Sequence, residues 1–256
     1  MFGGSRDTAT SVLDPHLDLD RRHKPHTLIL TGRGRYEDLW HDHAATSHRI
    51  ATTLDGYISP AGAGVDVRST VPGALDDLDS INLLVLNISR PTPGYVGGPD
   101  GDLDLSFDGG TADLVDRIVA WARTGGNILA THATAMAAET YPALQAVIGG
   151  NWVEGVSGHP PIGDMTMTVA TDAHPVTARQ SDVETFDERY CRLAVNDDVT
   201  VLGWIRDDDG SEYPTLWVNE SHGGRTVYSA LGHSARAFDA STHRHLLRRA
   251  AAWLLT

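Results

Sequence analysis

The chain has 256 residues, 41% hydrophobic and 21% charged, values of a globular protein and not of a disordered one. With 20 Lys and Arg against 34 Asp and Glu, the formal charge is −14 at pH 7. That balance argues against a nucleic-acid backbone or an anionic membrane as partner and favours a small neutral or cationic ligand. The single cysteine, Cys191, excludes an internal disulfide and a cysteine-rich metal site, and no run approaches the roughly 18 apolar residues that span a bilayer.

Residues 1–25 read as a flexible polar leader with no apolar core of a secretory signal, so cytoplasm is the expected location and 26–256 the single folded domain. "HTLILTG" (26–32) is an apolar run closed by glycine, a buried strand. "HDHAATSHRIATTL" carries Ala44, Ile50, Ala51 and Leu54 at helical spacing. "VDVRS" (65–69) and "INLLVLNIS" (81–89) are further strands, the second almost continuously apolar, as a strand covered on both faces is. A Gly-, Pro- and Asp-rich loop comes next, over 90–110. "TADLVDRIVAWARTGG" is a helix with Thr111 as N-cap, a stripe of Leu114, Val115, Ile118, Val119 and Trp121, and Gly125 as its stop. "NILATH" is the next strand, and "TAMAAETYPALQAVIGG" the next helix.

The order β-α-β-β-α-β-α implies a three-layer α/β domain with a mainly parallel sheet, whose ligands bind beyond the strands' carboxyl ends. In the second half "MTMTVA", "VTVLGWI", "TLWVNE" and "RTVYSALG" are β-like, and "STHRHLLRRAAAWLL" is a closing amphipathic helix. No linker separates the halves, so the second completes the same domain.

The candidate site residues sit at strand ends and in loops. His132 occupies the strand-to-helix elbow of "GGNILATHATAM", where hydrolases and glutaminases carry Ser or Cys. Histidine there suits proton transfer or metal ligation. His41 and His43 come after the first strand, His159 lies in "GVSGHPP", Asp187 and Glu188 in "FDERY", and His233 in "SALGHS". Cys191 is away from any elbow and reads as an inert buried thiol. "GRGRYE" lacks the third glycine of a dinucleotide fingerprint, so no Rossmann cofactor is expected.

In this order "RYEDLWHD", "GGNILATHAT", "GGNWVEGVSGHPP", "DAHPVT", "FDERY", "YPTLWV" and "GGRTVYSALGHSARAF" resemble the ThuA-like trehalose-utilisation family over about 27–255. The resemblance implies a flavodoxin-like fold of the class I glutamine amidotransferase type, with added β elements. It places His41, His132, His159, Glu188 and His233 on the family's polar motif positions, with His174 matching in a His-Pro turn. It also implies a trehalose-type disaccharide or keto-sugar substrate. His132 stands where the amidotransferase relatives carry their cysteine, so glutaminase activity is not expected.

The expectation is therefore an enzyme in which His132 and Glu188 act as acid/base partners in isomerisation, elimination or hydrolysis, with His41, His159 and His233 completing the catalytic set. Trp40, Asp187, Tyr190 and Trp217 form the expected substrate-binding set. Alternatives are a divalent metal such as zinc held by the same His/Glu cluster, and a non-catalytic carbohydrate-binding domain. The expected partner is a small sugar, and a homo-oligomer is allowed.

Overall fold

The computed structural model describes residues 26–57, 64–90 and 111–256. The leader of 1–25 and the loop segment 91–110 lie outside the described residues.

Strands β1 (Thr27–Thr31), β2 (Val65–Ser69), β3 (Leu83–Asn87), β4 (Ile128–Thr131) and β11 (Thr226–Ser229) run parallel. Their order in the sheet is β2-β1-β3-β4-β11. The same sheet continues antiparallel through β10 (Glu212–Asn219), β9 (Thr200–Arg206), β6 (Gly163–Val169) and β7 (Val183–Asp187), giving nine strands. The additional β elements expected in the second half thus extend the parallel sheet. A two-stranded ladder pairs β5 (Gly150–Asn151) with β8 (Ala194–Val195).

The central strands are mainly apolar, with Thr or Asn at their ends, because both faces are covered. Leu28 and Leu30 of β1, Leu84 and Leu86 of β3, and Ile128 and Ala130 of β4 enter one core. The alternate residues Ile29, Leu83, Val85 and Leu129 enter the other. The first core is closed by α2 (Thr111–Arg123) and α4 (Pro142–Ile148), through Val115, Ile118 and Leu144. The second is closed by α1 (His43–Leu54) and α5 (Ser241–Leu254), through Ile50, Leu54, Leu246 and Leu247. This is the three-layer arrangement. Among the described residues no helix is long and apolar enough to cross a membrane.

The sequence pattern expected one helix over "TAMAAETYPALQAVIGG". The structure splits it into α3 (Thr134–Thr140) and α4, with Tyr141 extended between them. Pro142 at the first turn of α4 forces the break, because a residue before proline is driven out of the helical region. α4 then ends at Gly149, which adopts φ 88°. Helix α1 begins two residues later than its motif, where the Asp42 side chain accepts the Ala45 N–H at 2.9 Å.

Because β1, β3, β4 and β11 are parallel, their carboxyl ends lie along one edge. The segments leaving that edge carry Asp38 and His41 after β1, Ser89 after β3, His132 after β4 and His233 after β11. The chain after β1 folds back closely: a Cβ at Gly32 would sit 2.1 Å from the Tyr36 carbonyl oxygen. Only glycine permits this, and the fold-back carries Asp38 and His41 over the sheet edge.

Candidate active site

His132 stands at φ 38°, in the left-handed region that non-glycine residues rarely adopt. Three contacts hold the elbow. The His132 N–H donates to Ser229 O at 2.8 Å, Tyr228 Oη donates to His132 O at 2.9 Å, and Thr134 Oγ1 donates to Leu86 O at 2.8 Å. The imidazole is 1% exposed. Its Nδ1 donates to Ala230 O at 2.7 Å, which leaves Nε2 as the outward-facing nitrogen. Burial pushes its pKa down to about 4, against the pull of Glu188, so the ring is neutral near pH 7.

His41 is brought to the same place by Asp38. His41 Nδ1 donates to both Asp38 carboxylate oxygens, at 2.8 and 2.7 Å, and Asp38 also accepts from Ser89 Oγ and from the Trp40 and His41 N–H groups. Burial works to raise the Asp38 pKa, but His41 and Ser89 hold it well below the carboxylate range. His41 Nε2 then lies 3.1 Å from His132 Nε2.

Glu188 comes directly after β7 and projects between the histidines. Its Oε2 is 3.4 Å from His132 Nε2 and 3.1 Å from His233 Nδ1, and its Oε1 is 3.5 Å from His159 Nε2. Burial opposes ionisation of Glu188, but His132 and His233 hold it well below its ordinary value. Burial also disfavours the charged form of His233, and Glu188 overrides it, raising the His233 pKa. The five histidine and glutamate side chains expected to share a site are therefore linked by contacts of 3.5 Å or less.

The expected substrate-binding set divides. Trp40, next to His41 in the chain, is 72% exposed. The three others are buried. Trp217 is fully buried, stacks on Tyr228 at 4.3 Å and donates from Nε1 to Ile148 O, so it is core and has no face for a sugar. Asp187 is also fully buried. Its carboxylate accepts the N–H groups of Gly232 (2.7 Å), His233 (3.0 Å) and Glu188 (3.0 Å). Burial pushes its pKa up to about 7 against those three donors. Its carboxylate is turned to the backbone of the His233 turn. Tyr190 is buried with its ring stacked on His132 at 4.2 Å and its Oη 3.5 Å from His41 Nε2, so it backs the site.

Other expectations place simply. His43 is buried under the site, with Nδ1 3.5 Å from Asn87 Oδ1. His174 caps a short 3-10 turn by accepting the Val176 N–H, and its ring meets Trp253 at 4.7 Å, a structural role. Burial pushes the Cys191 thiol up to about 11, which makes it a poor nucleophile.

Sequence reasoning missed Asp38, Ser89 and Trp152. Asp38 had a signal, an acid three residues before a loop histidine. Trp152, whose ring meets Tyr190 at 5.0 Å and His159 at 6.4 Å, had none beyond its motif.

The profile of the ThuA family, described as trehalose utilisation, matches residues 108–254, more than half of the chain. Among solved structures, the chain is similar to a ThuA-like protein from Parabacteroides merdae, with TM-score 0.68 and 17% identity over 91% of each chain. A ThuA-like protein from Bacteroides uniformis gives TM-score 0.63 and 16% identity, covering 91% of this chain and 92% of that one. A β-galactosidase from Bacillus circulans sp. alkalophilus gives TM-score 0.53 and 14% identity, with 89% of this chain covering 31% of that one. At these identities the structures speak to fold alone. A comparison with curated proteins finds no match. The matched profile, spanning α2 to α5 and including His132, His159, Glu188 and His233, means that this chain belongs to the ThuA family of trehalose utilisation.

Proposed function

We propose that the chain is a cytoplasmic enzyme acting on a disaccharide or keto-sugar of the trehalose type, at the cluster of His41, His132, His159, Glu188 and His233. The observation that carries this is their convergence. Five side chains from separate segments meet at the carboxyl edge of a parallel sheet, each within 3.5 Å of another member. Structural needs alone do not explain it. A histidine in the left-handed region, a carboxylate amid three imidazoles and a mostly buried polar cluster all cost stability locally.

The chemistry fits a polyhydroxylated substrate. Enediol isomerisation, β-elimination and hydrolysis each require one group that takes a proton and another that gives one, within hydrogen-bond reach. Here the Nδ1 hydrogens of His41 and His132 are committed to Asp38 and Ala230. Their Nε2 atoms and the Glu188 carboxylate are left to act on a ligand. Trp40 offers an exposed ring beside them for a sugar face. Thiol chemistry finds no support, because the only cysteine is elsewhere and its thiol is held protonated.

The test is to incubate the purified protein with trehalose and with its keto derivative and to follow both by NMR. Conversion that is lost in His132→Ala supports the reading. Sugar binding with no conversion, kept in His132→Ala and Glu188→Ala, would replace it with a carbohydrate-binding role.

A further inference from the structure

Two nitrogens in this site face each other in a way that neutral imidazoles alone do not sustain. A carbonyl oxygen only accepts, so His132 Nδ1, 2.7 Å from Ala230 O, carries the hydrogen and Nε2 carries the lone pair. The Asp38 carboxylate fixes His41 in the same tautomer. Two lone pairs therefore point at one another across 3.1 Å. A third donor is close: His233 Nδ1 is buried, lies 3.1 Å from Glu188 Oε2, and has no hydrogen bond among the described residues. The four donor atoms of His41, His132, Glu188 and His233 all lie within 4.8 Å of one another.

We infer that His41 Nε2, His132 Nε2, His233 Nδ1 and the Glu188 carboxylate bind one divalent cation of the zinc type. Ligand distances of about 2.0–2.1 Å around a tetrahedral ion put neighbouring donors about 3.3 Å apart. Three of the six donor separations here are 3.1, 3.4 and 3.1 Å, and all six lie within 4.8 Å. Three imidazoles with one carboxylate suit zinc and its transition-metal neighbours, whereas magnesium and calcium favour all-oxygen shells. The outer contacts are those of a metal site: Asp38 and the Ala230 carbonyl hold the distal Nδ1 hydrogens, and Asp187 pins the backbone of both Glu188 and His233. Glu188 and Asp38 together balance the two charges of the ion. A proton shared between His41 and His132 accounts for that one contact, but not for the His233 nitrogen, whose 3.1 Å approach to Glu188 lacks hydrogen-bond geometry, or for Glu188 among the donors.

The inference rests on reading this cluster as the reacting centre, and it sharpens the roles within it. When bound, such an ion polarises a substrate oxygen or lowers the pKa of a bound water. His41, His132, His233 and Glu188 then serve as ligands. His159 lies outside the four, on the solvent side of Glu188, with a 35% exposed side chain.

The test begins with the untagged full chain, purified without a nickel column and assayed for metals. About one equivalent of a divalent transition metal per chain is expected. Wild-type protein stripped with chelator should regain one equivalent when titrated with zinc or with cobalt(II), the latter followed by its visible absorption. His132→Ala and His233→Ala should weaken that binding more than about 100-fold, and Asp38→Asn about 10- to 100-fold. His222→Ala, remote from the cluster, should leave it unchanged. The stripped wild type needs no substitution, so a variant that misfolds does not decide the matter. Under about one tenth of an equivalent as purified, with no saturable uptake of zinc or cobalt, overturns the inference. Sugar conversion at full rate by stripped protein overturns the metal and leaves the enzyme. One bound equivalent with no sugar converted leaves the metal and removes the proposed function.

Discussion

Asp187→Asn isolates what a fully buried carboxylate does for the site without changing its shape. Oδ1 accepts from Glu188 N and His233 N, and Oδ2 from Gly232 N at 2.7 Å. An amide can keep the Oδ1 pair, but its NH2 then faces the Gly232 N–H, donor against donor. The loss of that bond, with a buried N–H left unmet, costs about 1–3 kcal/mol, and at pH 8.5, above the Asp187 pKa of about 7, the remaining bonds lose their charge assistance, a further ~1 kcal/mol. A total near 3 kcal/mol corresponds to a fall in Tm of roughly 6–12 °C for a chain of this size. The turn that slackens is the one carrying His233, so activity should fall as well. A displacement of about 1 Å costs on the order of 100-fold in turnover. Urea denaturation gives the first quantity. Steady-state kinetics, at a temperature where the variant is still folded, gives the second. If Asp187→Asn matches wild type in both, the carboxylate does not hold the turn and the positioning argument fails.

His243 is fully buried, its Nδ1 donates to Ala237 O, and burial pushes its pKa down to about 4. A folded pKa depressed below the unfolded value of about 6.5 gives stability that is present above pH 6.5 and lost as pH falls toward 4, about 2 kcal/mol by pH 5. Urea midpoints at pH 7.5 and pH 5 should differ by less in His243→Leu than in wild type. At the elbow, His132→Gly should be more stable than His132→Ala by about 1 kcal/mol, because only glycine relieves the left-handed backbone. Equal stabilities in urea would show that the elbow is unstrained. Trp217→Phe gives up the bond to Ile148 O and part of a stacked core ring. It should lose about 1–3 kcal/mol of stability with KM unchanged, and a raised KM would restore Trp217 to the substrate.

The parallel core was legible because its signals are local. β3 opens with four apolar residues, Leu83 to Leu86, that the two cores share alternately, and α2 carries a clear stripe. The elbow was legible for the same reason: a strand that stops abruptly at small residues exposes the side chain at its end. The break at Pro142 was present in the sequence and outweighed by the apolar periodicity on either side. Burial at the site was not legible. Nothing local separates Trp217, sealed between Tyr228 and α4, from Trp40, open to solvent. Nor does the pair Asp187 and Glu188 reveal which carboxylate turns to backbone N–H groups and which to imidazoles. Those distinctions arise where β7 and the β11 turn meet, and segments 45 residues apart must be folded together before it shows.

If His132 and Glu188 act as one reacting unit, a double-mutant cycle on the trehalose-type keto-sugar reveals it. With kcat/KM measured for wild type, His132→Ala, Glu188→Gln and the double variant, each single change should cost about 1000-fold or more. The double should be no worse than the poorer single, since members of one unit fail together. Losses that multiply in the double variant, or singles within about threefold of wild type, would contradict the account.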